Sequence, residues 1–341
     1  MKKSKFNSTH FLEIIESYKK IDIFSNVQYE NTKELILSIA KTLEDYQDIE
    51  HYNALFLTFL KEIKAQTQNP YVFEPFHKQT RSPYDYMQFG IDFLAPFIDI
   101  DHSTCMGQEH LETIEAQLKS GHNVILFSNH QSEGDPQMLF SIFRKLHKEY
   151  LSEKIIFVAG ERVTQDPFAI PFSLGCNLIC IYSKNYTTTP KEKSLEKLEH
   201  NKKVMHATSE LLKQGGQLIW VAPSGGRDRK EKDVFQVAPF DKNAIEMFYL
   251  LAKKAVTPTH FYPLSLLTYA ILPPPEERQK ELGEKRPIYK GCIHSYFGKE
   301  IDMESFHDKE KKRLRKKRTD FIFREVKQNY QTLLKQHKGH Q

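Results

Sequence analysis

The stretch Val124-Ile125-Leu126-Phe127-Ser128-Asn129-His130-Gln131-Ser132-Glu133-Gly134-Asp135-Pro136 places a histidine and an aspartate, four residues between them, directly after an apolar run. An apolar run of that length reads as a buried strand. His130 then leaves the sheet at a strand end, where open α/β sheets place their ligands. An imidazole there takes a proton from a hydroxyl near neutral pH, and a carboxylate a short turn away fixes its tautomer. The pair reads as an acid/base dyad without a nucleophile of its own. Asp135-Pro136 also has a plain structural reading, since Asp is a favoured N-cap and Pro a favoured first helical residue.

Outward from this stretch the chain alternates strand and helix. Asn123–Ser128, Ile155–Ala159, Leu178–Tyr182, Gln217–Ala222 and His260–Leu266 read as strands, Pro136–Tyr150 and Ser194–Gln214 as helices. Gly215-Gly216 ends the second helix. Alternation of this kind predicts an α/β fold with a mostly parallel sheet flanked by helices. The first seventy residues differ. Phe11, Leu12, Ile14, Ile15 and Tyr18 fit one helical stripe, and Phe56, Phe59, Leu60 and Ile63 fit another. Asn31-Thr32-Lys33-Glu34 resembles a capping box ahead of a third, through Leu35, Ile36, Ile39, Leu43 and Tyr46. Pro70, Pro75 and Pro83 then break the pattern. The expected organisation is a small N-terminal helical bundle over 1–75 and a larger α/β catalytic domain over 76–341.

With 341 residues, 24 Phe and 16 Tyr, the chain has ample core material, which argues against disorder. Cys105, Cys176, Cys180 and Cys292 are scattered without C-x-x-C spacing, so neither a disulfide framework nor a metal site is expected. The start carries no secretory apolar core and is not Arg/Ser-rich like a transit peptide. The longest apolar stretch, Phe261 to Leu272, holds Pro263 and is too short to span a bilayer. A soluble, cytoplasmic protein is expected, or a stromal one if the source is a plant. Net charge is +5, yet Lys309–Arg318 (KEKKRLRKKR) alone carries +7 and leaves the remainder at −2. That run reads as a solvated helix face, a dock for an acidic carrier protein, or a peripheral contact with an anionic membrane. Nucleic acid is not an expected partner.

After the strand Gln217–Ala222 comes Pro223-Ser224-Gly225-Gly226-Arg227-Asp228-Arg229. In an extended segment Arg227 and Arg229 share one side and Asp228 points away. Two guanidiniums aimed one way suit a phosphate dianion, and a salt-bridged surface loop is the plain alternative. Ser183-Lys184-Asn185 follows another strand and offers Lys184 as a further cation. The loops should converge at one sheet edge. The chain has no G-x-S-x-G elbow, nucleotide loop or H-E-x-x-H helix. A histidine base beside a phosphate-binding pair then points to a phosphorylated alcohol as the nucleophile.

The blocks HKQTRSPYDYMQFG, FSNHQSEGDP, FVAGERVTQDP, PFSLGCNLICIYSK, QLIWVAPSGGRDR, FYPLSLL, ILPPP and GEKR, from His77 to Arg286, resemble the soluble glycerol-3-phosphate acyltransferases known best from plastids, with related forms in some bacteria. The resemblance implies transfer of a fatty acyl group from acyl carrier protein or coenzyme A to the sn-1 hydroxyl of glycerol 3-phosphate, without a cofactor or metal. It makes His130 and Asp135 the catalytic dyad and places Arg227 and Arg229 on the phosphate. Plastid-type members read Ser-Lys-Lys-His where this chain has Ser183-Lys184-Asn185-Tyr186, so their phosphate-contacting Lys-His pair falls on Asn185 and Tyr186. Either Lys184 takes over or fewer charges hold the phosphate. A 1-acylglycerol-3-phosphate acyltransferase shares the histidine–aspartate logic and is the alternative within the class. A phosphoesterase and a catalytically silent binding protein are alternatives outside it.

Overall fold

The computed structural model describes residues 5–182, 191–231, 234–275 and 284–339. Its strands are β1 (Phe76–His77), β2 (Thr104–Met106), β3 (Asn123–Ser128), β4 (Ile155–Gly160), β5 (Asn177–Ile181), β6 (Leu218–Val221), β7 (Arg229–Glu231), β8 (Val234–Gln236), β9 (Thr259–Leu267) and β10 (His294–Phe297). Eight of them form one sheet in the order β1-β5-β4-β6-β3-β9-β10-β2, while β7 and β8 make a separate antiparallel ribbon. The five central strands, β5, β4, β6, β3 and β9, run parallel. All five coincide, to within one or two residues at each end, with the strands expected from apolar runs. β1, β2 and β10 were not expected, and β1 and β10 pair antiparallel with their neighbours β5 and β9. Every residue of β3 is buried, as a strand covered by helices on both faces requires.

The helices are α1 (Ser8–Lys20), α2 (Asn26–Thr42), α3 (Ile49–Gln68), α4 (Tyr86–Leu94), α5 (Gln108–Lys119), α6 (Asp135–Lys145), α7 (Glu149–Lys154), α8 (Glu161–Gln165), α9 (Ile170–Leu174), α10 (Ser194–Gln214), α11 (Lys242–Ala255) and α12 (Lys311–Gly339). Two sequence expectations need correction. The capping box of α2 is built by Ser25 and Gln28 and not by Asn31 and Glu34: the Ser25 hydroxyl accepts from the Gln28 N–H and the Gln28 side chain from the Ser25 N–H. Asn31 therefore lies inside α2, buried with Thr32 a turn before Leu35. The single helix expected over Pro136–Tyr150 is divided into α6 and α7, with His147 at φ 55° between them. A residue in the left-handed region cannot continue a right-handed helix.

Helices α1–α3 share one apolar core with the layer beneath them. Phe59 of α3 lies 4.9 Å from Phe93 of α4 and 5.6 Å from Phe172 of α9, ring centre to ring centre. Phe56, Phe59, Leu60 and Ile63, the stripe read from the sequence, are all buried. Burying each such side chain stabilises by about 1.5–3 kcal/mol, enough to make this contact a major part of the fold. At the other end of the chain α12 lies along β9, where the buried Ser265 hydroxyl donates to the Val326 carbonyl. Its basic start is only partly solvated. Arg318 is buried, donating to the Met303 carbonyl and pairing with Glu246, which Arg315 also meets. Lys309, Lys311, Lys312 and Lys316 are exposed. Among the described residues no helix is long and apolar enough to cross a membrane.

Candidate active site

β3, β4, β6 and β9 end at one edge of the sheet, and the segments leaving them build the site. His130 follows β3 and Asp135 opens α6. The His130 Nδ1 lies 2.8 Å from an Asp135 carboxylate oxygen, so with Nδ1 protonated the ring donates to Oδ2. Asp135 does not cap its own helix, where Gly134 holds the N-cap position. Its carboxylate turns back instead. Oδ2 also accepts from the Gln131 N–H at 2.9 Å, while Oδ1 accepts from the Ser132 N–H at 3.1 Å and from the Thr268 hydroxyl at 2.6 Å. Asp135 is 1% exposed, so these four donors do for the charge what water does elsewhere. Thr268 stands just past β9, and its role in holding the dyad carried no sequence signal. The His130 ring meets Trp220 of β6 edge-on, with centroids 5.6 Å apart. Among the described residues the ring's Nε2 has no hydrogen-bond partner.

The Arg-x-Arg loop after β6 is tied to the dyad through its backbone: the Asp228 N–H donates to the His130 carbonyl at 2.6 Å. Asp228 points inward. It is fully buried and accepts from the Asn129 amide, the Gln131 amide and the Ala238 N–H at 2.8, 3.2 and 2.8 Å. Burial pushes its carboxyl up to about 6, against the pull of these donors. Asn129 and Gln131 thus form a second layer: each also accepts a backbone N–H from the β9 side, from Leu266 and Thr268. Arg229 donates through Nη1 to the Pro275 carbonyl.

Arg227 enters a buried ionic network. Its Nη2 lies 2.5 Å from Oε1 of Glu284, and its Nη1 lies 3.9 Å from Oε1 of Glu133. Arg162, from α8 after β4, meets the other Glu284 oxygen at 3.3 Å. Arg286 meets Glu133 through Nε and Asp166 through Nη2, each at 2.8 Å, and donates to the Glu284 carbonyl. Burial alone would raise the Glu133 carboxyl, but Arg286 and Arg227 hold it well below the usual range. Glu284 is pushed the other way, by burial and by the nearby Glu133 charge. The sequence offered Arg227 and Arg229. Glu133, Arg162, Asp166, Glu284 and Arg286 carry no spacing signal of their own, although all five stand within FSNHQSEGDP, FVAGERVTQDP and GEKR. Lys184, Asn185 and Tyr186 lie outside the described residues. No group of three or more metal-ligating side chains occurs among the described residues.

The arrangement can take up and return a proton at His130, and the loop that carries Arg227 and Arg229 is hydrogen-bonded to the His130 backbone. A family model described as Acyltransferase matches residues 102–267, which span both the dyad and the strands that carry it. The chloroplastic glycerol-3-phosphate acyltransferase of Arabidopsis thaliana is 38% identical over 262 residues, covering 76% of this chain and 56% of that protein. A chloroplastic glycerol-3-phosphate acyltransferase of Cucurbita moschata is 41% identical over 231 residues, covering 67% and 50%. The chain therefore spans about half the length of the curated relatives it matches. A solved 1-acyl-sn-glycerophosphate acyltransferase from Thermotoga maritima superposes with a TM-score of 0.41 at 17% identity, over 95% of this chain and 97% of that one. Sequence identity near 40% across two thirds or more of this chain, with the Acyltransferase model lying over its central strands, gives one conclusion: the chain belongs to the plastid-type glycerol-3-phosphate acyltransferase family.

Proposed function

We propose that this protein is a glycerol-3-phosphate 1-O-acyltransferase, moving a fatty acyl group from a thioester to the sn-1 hydroxyl of glycerol 3-phosphate and forming 1-acylglycerol 3-phosphate for phospholipid synthesis. The observation that carries the reading is the His130–Asp135 contact, with the carboxylate fully buried and held by four donors. Nδ1 carries its proton toward Asp135, so Nε2 is the basic nitrogen. It removes the proton from the sn-1 hydroxyl as that oxygen attacks the thioester carbonyl. The tetrahedral adduct collapses by breaking its C–S bond, and the imidazolium returns the proton to the departing sulfur. Asp135 keeps the ring in place and stabilises the imidazolium, as the carboxylate does in a serine triad.

The substrate alcohol takes the place a serine holds in such a triad, so transfer is direct. The cysteines fit that reading. Burial pushes the Cys176 and Cys180 thiols up to about 12 and Cys105 up to about 11, far from the reactive thiolate range. Arg227 and Arg229 bind the phosphate, with Lys184 as a further cation. The acyl donor is a thioester of acyl carrier protein or of coenzyme A.

Purified protein supplied with labelled glycerol 3-phosphate and acyl thioesters of both kinds tests the proposal. Turnover to 1-acylglycerol 3-phosphate is expected, and His130→Ala should lose roughly 10²- to 10⁴-fold in rate. A folded His130→Ala protein that keeps near-normal turnover, or a trapped covalent acyl-enzyme, sinks this mechanism. Acylation of 1-acylglycerol 3-phosphate in preference to glycerol 3-phosphate would replace the substrate assignment.

A further inference from the structure

The side chains around Arg227 compose a balanced set: Arg162, Arg227 and Arg286 against Glu133, Asp166 and Glu284. Glu284 is the pivot. Its two carboxylate oxygens divide between two guanidiniums, Oε1 at 2.5 Å from Arg227 and Oε2 at 3.3 Å from Arg162, and its side chain is 3% exposed. Carboxylate and phosphate present the same kind of oxygen pair to guanidinium N–H groups. A phosphate dianion cannot share Arg227 with a carboxylate at 2.5 Å without strong repulsion in so dry a place. One internal anion has to give way. Glu133 is the poorer candidate, because Arg286 holds it at 2.8 Å through Nε and it lies 3.9 Å from Arg227. Glu284 lies in 284–290, described residues with neither helix nor strand. Its backbone can shift without breaking a ladder.

We propose that Glu284 occupies the position of the substrate phosphate on Arg227 and Arg162, that glycerol 3-phosphate binds by displacing this carboxylate, and that Arg162 becomes a further phosphate ligand when it does. The inference rests on the reading of Arg227 as a phosphate-binding residue. It makes Glu284 an affinity-setting residue: the carboxylate is an internal competitor, and every substrate that binds must outmatch it. It also adds a cation to the phosphate site from the segment after β4.

Calorimetric titration of glycerol 3-phosphate into the full chain and its variants tests this. Glu284→Gln removes the competing charge and keeps the shape, so Kd should fall about tenfold, and Glu284→Asp, whose carboxylate reaches less far, should fall between the two. Arg162→Ala should raise Kd about tenfold. Because Glu284→Gln leaves two buried guanidiniums short of an anion, inorganic phosphate should raise its melting temperature more than it raises that of the wild type. This second readout holds even where the variant is less stable. A folded Glu284→Gln protein that binds glycerol 3-phosphate no better than wild type and gains no extra protection from phosphate overturns the proposal, making Glu284 a structural partner only. An unchanged Kd in Arg227→Ala overturns it as well, and traces the failure to the phosphate reading beneath it.

Discussion

Asp135→Asn separates the charge of the dyad from its shape. The wild-type carboxylate accepts two hydrogen bonds on each oxygen: from His130 Nδ1 and the Gln131 N–H on Oδ2, and from the Ser132 N–H and the Thr268 hydroxyl on Oδ1. Asparagine has one oxygen and one NH2. Turned with its oxygen toward His130, it keeps the two bonds on that side and the ring tautomer with them. Its NH2 then faces the Ser132 N–H, donor against donor, while the Thr268 hydroxyl can rotate to accept. One buried N–H is orphaned, at a cost of about 1–3 kcal/mol, so the variant should fold with reduced stability. The larger loss is kinetic. An imidazolium formed about 4 Å from a carboxylate, at an effective dielectric near 20, is stabilised by roughly 4 kcal/mol, and forfeiting that slows the reaction about 10³-fold. The KM for glycerol 3-phosphate should change little, because the phosphate is held elsewhere. Steady-state kinetics at saturating acyl donor, with urea denaturation in parallel, measures all three. Thr268→Val is the control: it deletes one donor to Oδ1 and keeps the charge, so its kcat should fall about tenfold only. A kcat for Asp135→Asn within tenfold of wild type, or a Thr268→Val defect as large as that of Asp135→Asn, refutes the charge argument.

Arg286→Leu should cost about 3–5 kcal/mol of stability in urea denaturation, because it strands Glu133 and Asp166 as buried carboxylates, and a loss below 1 kcal/mol would show that water or a neighbour compensates them. Asp228 is pushed up to about 6 from an ordinary 3.8, so between these values the native state holds a proton that the unfolded chain has released. Its contribution to stability therefore improves as pH falls from about 6 toward 3.8, and the margin of wild type over Asp228→Asn should widen across that window. A margin that stays constant from pH 7 to pH 4.5 means that Asp228 does not titrate there.

The legible part of this protein was whatever has a period or a block. The run Val124–Phe127 specified a strand buried on both faces, because continuous apolar sequence is what two layers of helix demand. The alternation at Arg227-Asp228-Arg229 set Asp228 apart from the two arginines, and the fold decided that its side is the buried one. The nearness of Asp135 to His130 was also written locally, four intervening residues being a single turn. The helix boundary at His147 and the true cap at Ser25 were decided by backbone geometry that hydrophobic pattern does not report.

What surrounds the dyad had no such signature. Thr268 reaches Asp135 across 133 residues of chain, and Arg286 reaches Asp166 and Glu133 across 120 and 153. Charged residues on exposed and buried loops look alike in sequence, since a charge carries no mark of its eventual partner. Only the parallel sheet, by bringing the ends of β3, β4, β6 and β9 to one edge, selects which arginine meets which carboxylate. Hydrophobic burial depends on pattern along the chain, and so the strands can be read from it. Ion pairing depends on where those strands end in space, and that is fixed only when the whole sheet is assembled.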